Sequence, residues 1–150
     1  MSVDVITAMR IDCPCDAVAG YAMNPDNAPR WYTNIKAVEW KTPRPLRVGS
    51  RVAFVAHFMG RRLVYTYEII ELEPARRLVM RTAEGPFPME TSYEFEPADS
   101  SSTRMQLRNR GAPTGFAILY GPVMALAMRR ANRQDLARLR QLLENAVQVR

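Results

Sequence analysis

Three tyrosines, Tyr65, Tyr67 and Tyr93, and one amide, Asn109, are the polar side chains whose spacing sets them to work together. Each falls at an alternating position of a strand-like run, on the same side as apolar neighbours. Phenolic hydroxyls and an amide can orient a bound molecule, and a tyrosine acts as an acid or base near neutral pH only when its pKa is specifically perturbed. Other chemistry-bearing residues are less well arranged. His57 is the only histidine, and its alternation with Phe54, Ala56 and Phe58 turns it to the opposite face. Glu68, Glu90, Glu94 and Glu96 fall on that outer face too and read as a solvated surface. Cys13 and Cys15, two apart and with one histidine to assist, are too few ligands for a thiolate zinc site, so no metal is expected. No nucleophile with its base and no tuned carboxylate pair is evident, and no cofactor is expected.

These residues must be positioned by a chain that reads as strand, two short helices, six strands and one long helix. Val3, Val5, Thr7, Met9 and Ile11 alternate with polar or small residues, predicting a strand over about residues 3–12 with one buried face. Pro14 suits the first position of a helix, where its missing N–H costs nothing, and Val18, Tyr21 and Ala22 follow at helical spacing. Asn24-Pro25 repeats that signal and predicts a second short helix running to Trp31 and Tyr32. Ile35 to Trp40 is extended, with Pro43-Arg44-Pro45 and Val48-Gly49-Ser50 as the loop and turn after it. Alternation from Val52 to Phe58 and from Leu63 to Ile69, with the tight Met59-Gly60-Arg61 turn between them, predicts a hairpin.

Three further strands are expected over Arg77–Ala83, Met89–Glu96 and Thr103–Asn109, separated by Gly85-Pro86-Phe87-Pro88 and by the run from Pro97 to Ser102. Such short connections predict antiparallel pairing. From Phe116 to Val147 the residues Tyr120, Met124, Met128, Leu136, Leu139, Leu143 and Val147 recur at helical spacing, with Pro122 in the first turn or at a kink.

Composition narrows the class. The 150 residues, 47% hydrophobic and 24% charged, suit one soluble domain spanning 1–150, with no apolar stretch long enough to span a membrane. No secretory signal begins the chain, which makes the cytoplasm the expected compartment. A net charge of +6 favours anionic partners. No basic run interleaved with aromatics accompanies it, so nucleic acid is not expected as a partner.

Local segments add to the order of elements. Ile11-Asp12-Cys13-Pro14-Cys15-Asp16-Ala17-Val18, Trp31, Val48-Gly49-Ser50, Glu73-Pro74 with Arg76-Arg77-Leu78, and Gly111 to Gly115 together resemble the START-like (Bet v 1-like, SRPBCC) superfamily, in its polyketide cyclase/dehydrase-like branch. The resemblance covers essentially the whole chain. It implies an α+β helix-grip fold: a curved antiparallel sheet of about seven strands around a long C-terminal helix, with two short helices after strand 1. It also implies an apolar cavity between sheet and last helix, used across the superfamily for lipids, polyketides, hormones and other hydrophobic molecules. Pro86-Phe87-Pro88 and Gly111 to Gly115 resemble the loops bordering the cavity mouth in relatives.

With the long helix on the concave face, the strand period turns one set of side chains inward. The expected ligand-binding set is Trp31, Phe54, Phe58, Tyr65, Tyr67, Met80, Met89, Thr91, Tyr93, Met105, Asn109, Tyr120, Met124 and Met128. Ala56, Leu63, Ile69 and Leu107 are expected to face inward with them. The competing outcome is a core filled by these same side chains. Binding or transport of a small hydrophobic ligand is the first functional expectation, and a cyclase-like enzyme acting on a polyketide or related aromatic is the alternative. Polar groups converging inside the cavity favour the enzyme, whereas a uniformly apolar cavity favours the carrier. Arg129, Arg130, Arg133, Arg138 and Arg140 accompany the apolar stripe of the last helix, which adds transient contact with an anionic membrane as a third class. A monomer and a homodimer are both compatible with the sequence.

Overall fold

The computed structural model describes residues 3–58, 60–85, 88–111 and 121–149. Strand β1 (Val3–Ile11) buries Val3, Val5, Thr7 and Ile11, half-buries Met9 and exposes Asp4, Ile6, Ala8 and Arg10, of which Ile6 is the apolar residue that interrupts the sequence alternation. Helix α1 (Cys15–Ala22) follows. Pro14 precedes this helix rather than beginning it: its ψ of 147° is extended, and its carbonyl accepts the first helical hydrogen bonds, from the N–H groups of Ala17 and Val18.

The expected second helix is divided. Asn24 caps a three-residue 3₁₀ turn, Pro25–Asn27, its side chain accepting from the Asp26 N–H at 3.1 Å. Helix α2 (Ala28–Trp31) starts afresh, because Pro29 has no N–H to continue a helical ladder from the Pro25 carbonyl.

Among the described residues the remaining strands are β2 (Ile35–Trp40), β3 (Arg51–Phe58), β4 (Arg61–Glu73), β5 (Arg77–Glu84), β6 (Met89–Asp99) and β7 (Ser102–Gly111). With β1 they form one antiparallel sheet in the order β1-β7-β6-β5-β4-β3-β2. Strands β6 and β7 extend further than the turn-like composition of Pro97 to Ser102 suggests. Their ladder continues through Pro97 opposite Thr103 and Asp99 opposite Ser102, with a bulge that accommodates the proline. Glycine is required at Gly49, whose φ of 93° lets its N–H reach the Ile69 carbonyl at the corner before β3.

The outer face of the sheet is more ordered than a plain solvated surface. Arg51 pairs with Glu68, Arg77 with Glu71 and Glu94, and both Arg81 and Arg110 with Glu90, while Arg108 grips Asp4 through two nitrogens. Residues directly opposite on antiparallel strands lie close enough for such pairs, which is why the glutamates on this face find arginines. His57 is exposed, as its alternation implies. Cys13 is buried, and the Cys15 thiol donates to the Ala75 carbonyl at 3.4 Å.

Helix α3 (Gly121–Val149) packs beside β1 and α2, with Pro122 in its first turn. Its two halves have different surroundings. Leu136, Leu139 and Leu143 are buried in the core with Ile11, Val18, Trp31, Phe95, Met105 and Leu107. The preceding turns carry Met124 and Met128, which border a cavity instead. No helix among the described residues is long and apolar enough to cross a membrane.

Candidate functional site

The cavity lies between the Met124 to Asp135 stretch of α3 and the concave face of the sheet, with Tyr32, Asn34 and Ile35 completing its wall, and has a volume of about 160 Å³. Sheet register builds its floor. Phe54 stands opposite Tyr65, Ala56 opposite Leu63, and Met80, Thr91 and Asn109 form a continuous row across β5, β6 and β7. The Thr91 hydroxyl donates to the Asn109 side-chain oxygen at 2.7 Å, so these two buried polar groups satisfy each other.

Phe54, Tyr65, Tyr67, Met80, Met89, Thr91, Tyr93, Asn109, Met124 and Met128 all line this space. Trp31 and Met105 do not: both are fully buried in the core. Trp31 acts from behind the wall, its ring 4.1 Å from that of Tyr32 and 5.7 Å from that of Tyr93. Ile69 and Leu107 point inward but are likewise core residues. The Phe58 side chain, Tyr120, Met59, Pro86 with Phe87, and residues 112–120 as a whole lie outside the described residues.

The lining is mainly apolar, yet several of its polar groups gather towards one end. There the hydroxyls of Tyr32 and Tyr93 are 2.5 Å apart. Burial holds both phenols well above the ordinary tyrosine range, so at neutral pH they are O–H groups rather than phenolates. Tyr65 and Tyr67 are raised by burial as well.

Across from the pair, α3 presents Asn132 and Asp135, both buried. Asp135 accepts from the Thr33 backbone N–H at 2.8 Å. Burial pushes its carboxyl up from the usual 3.8 to about 6, against the hydrogen bonds of Thr33 and the charge of Arg138, which pull it down. The Asn132 side-chain nitrogen is buried and has no partner among the described residues.

A buried carboxyl thus sits in the cavity wall, on the helix rather than on the sheet. Tyr32, Asn132 and Asp135 were not anticipated as site residues. For Asn132 and Asp135 the signal lies in the helical spacing: Met128, Asn132, Asp135 and Leu139 recur at intervals of four, three and four, which places an amide and a carboxyl on the apolar stripe.

A second recess of about 560 Å³ lies between α1 and the loop after β2, and is walled by Met23, Trp40, Leu46 and Leu72. Its principal charges are already engaged. Asp26 accepts from the Trp40 indole and from two nitrogens of Arg44, whose guanidinium stacks 4.7 Å from the Trp40 ring. Among the described residues no His, Cys, Asp or Glu cluster is placed to hold a metal.

Solved structures with the same architecture span almost the whole chain. A START superfamily protein from Mycobacterium smegmatis aligns with a TM-score of 0.80 at 13% identity, covering 95% of this chain and 98% of that one. The Zhui aromatase/cyclase from Streptomyces sp. R1128 gives 0.83 at 16% identity, covering 98% and 96%. Ginseng major latex-like protein 151 from Panax ginseng gives 0.72 at 12%, covering 95% and 97%. At such identities the likeness establishes the helix-grip fold. No curated protein sequence matches the chain. The family model for polyketide cyclase / dehydrase and lipid transport matches residues 2–144, and the chain therefore belongs to that family.

Proposed function

We propose that this protein binds a small, mainly apolar molecule containing a ring, in the cavity between the sheet and α3. The observation that supports this most directly is the lining, where aromatic and methionine side chains surround a space of about 160 Å³, close to the size of apolar cavities that hold a single benzene-sized molecule. Met80, Met89, Met124 and Met128 can adjust their rotamers to an irregular ligand. On the outer side of α3, exposed Val123 and Leu126 next to Arg130 and Arg133 support transient contact with an anionic membrane during delivery.

Native mass spectrometry of the freshly isolated protein, followed by extraction under denaturing conditions, tests the binding. A hydrophobic compound is expected from the wild type and not from Ala131→Phe, which fills the cavity from α3. Equal recovery from both proteins removes the cavity as the binding place.

A second reading, cyclase- or dehydrase-like chemistry, has its own observation. Asp135 titrates near 6 beside a pair of phenol O–H donors, which suits proton exchange with a bound carbonyl or hydroxyl. In that case turnover of a model polyketide falls in Asp135→Asn by far more than affinity for it does. Turnover unaffected by the substitution leaves binding alone.

A further inference from the structure

The polar end of the cavity is an incomplete hydrogen-bonding arrangement, and what it lacks specifies a chemical group. Asn132 and Asp135 are three residues apart, on one face of α3, and both line the cavity. Asn132 is only 4% exposed, and its side-chain N–H group has no acceptor among the described residues, a costly state for a buried donor. Asp135 bonds to Thr33, which leaves part of its carboxylate able to accept more. Across from them one hydroxyl of the Tyr32 and Tyr93 pair donates to the other, so one O–H of the two is free to donate elsewhere.

The end wall thus offers one acceptor and two donors around a space otherwise apolar. A ketone or an ether can take the donors but gives nothing to Asp135. An ammonium serves Asp135 and leaves Asn132 unpaired, and a carboxylate meets Asp135 as a like charge. A hydroxyl donates once and accepts twice, and it is small enough to leave the remaining volume for one ring.

We propose that Asp135 and Asn132 form a hydroxyl clamp that selects a phenol-type ligand, whose O–H donates to Asp135 and whose oxygen accepts from Asn132. The proposal rests on the ligand-binding reading above and adds the class of ligand to it.

Titration of the full chain with phenol, anisole and benzene by calorimetry tests both levels, with NMR observation of the Asn132 side-chain amide alongside. Phenol is expected to bind about tenfold more tightly than benzene, the contribution of a hydrogen bond to a charged acceptor. Anisole, which accepts but cannot donate, is expected close to benzene. The Asn132 amide resonances move with phenol and not with benzene. Asn132→Leu and Asp135→Asn each lower phenol affinity about fivefold or more and leave benzene within about twofold. If either variant fails to fold, the ratio of phenol to anisole in the wild type still decides. Benzene binding in the cavity with no preference for phenol, or a preference that survives both substitutions, overturns the clamp alone. Failure of all three rings to bind overturns the ligand-binding reading beneath it.

Discussion

The hydroxyls of Tyr32 and Tyr93 meet at 2.5 Å, joining the end of α2 to β6 across 61 residues of chain. Both rings pack against Trp31, and Tyr93 is buried, so this contact links cavity wall to core. Tyr93→Phe leaves the Tyr32 hydroxyl without its partner and is expected to lower stability by about 1–2 kcal/mol in urea unfolding. Tyr32→Phe should cost a similar amount. The double variant should lose clearly less than the sum, because no hydroxyl then remains unpaired. Strict additivity would show that the two hydroxyls do not depend on each other.

Asp135 makes a pH-dependent contribution of defined sign. Its carboxyl holds a proton more tightly in the folded chain, near 6, than at its ordinary 3.8. The stability it contributes is therefore complete below about pH 4 and is lost as pH rises through 6, a difference of up to about 3 kcal/mol. Asp135→Asn keeps an acceptor for the Thr33 N–H and removes the ionisation. Relative to the wild type it should gain stability between pH 4 and 7.5, measured by denaturant unfolding at each pH. A flat difference over that interval contradicts a raised carboxyl.

Two methionines placed in one ligand-facing set on sequence grounds should separate on truncation. Met105 is fully buried in the core, and Met105→Ala is expected to cost about 2–5 kcal/mol. Met128 is half-buried at the cavity, where truncation enlarges existing space, so Met128→Ala should cost less than about 1.5 kcal/mol and shift ligand preference towards larger molecules. Thermal unfolding and ligand titration check the two effects.

On the outer face, Glu90 is shared by Arg81 and Arg110. Partial burial pushes its carboxyl up, but the hydrogen bonds and charges of the two arginines prevail and hold it below the usual value. Its contribution is present at neutral pH and is lost as pH falls through that lowered pKa. Glu90→Gln should cost about 0.5–1 kcal/mol at pH 7, less in 0.5 M salt, and almost nothing in strong acid.

The fold was legible from local pattern because strands and helices impose periods on the chain that bears them. Alternation in β3 and β4 was enough to send Phe54, Tyr65 and Tyr67 to the concave face and His57 outward, and the long apolar stripe announced the helix that grips them. Punctuation was less complete. Pro97 marks a break to a local reading, but a bulge carries the ladder past it. The division of the inward residues between core and cavity, Met105 and Trp31 on one side and Met80 and Met128 on the other, was set by where α3 lies along the sheet, which period 2 does not contain. The polar end of the site depended most on tertiary structure. Tyr32 reaches Tyr93 across 61 residues, and Thr33 reaches Asp135 across 102. Sequence determined which faces those residues could occupy. Only the packing of α2 and α3 over the sheet decided that they would meet, because desolvation and hydrogen bonding depend on neighbours in space rather than in order.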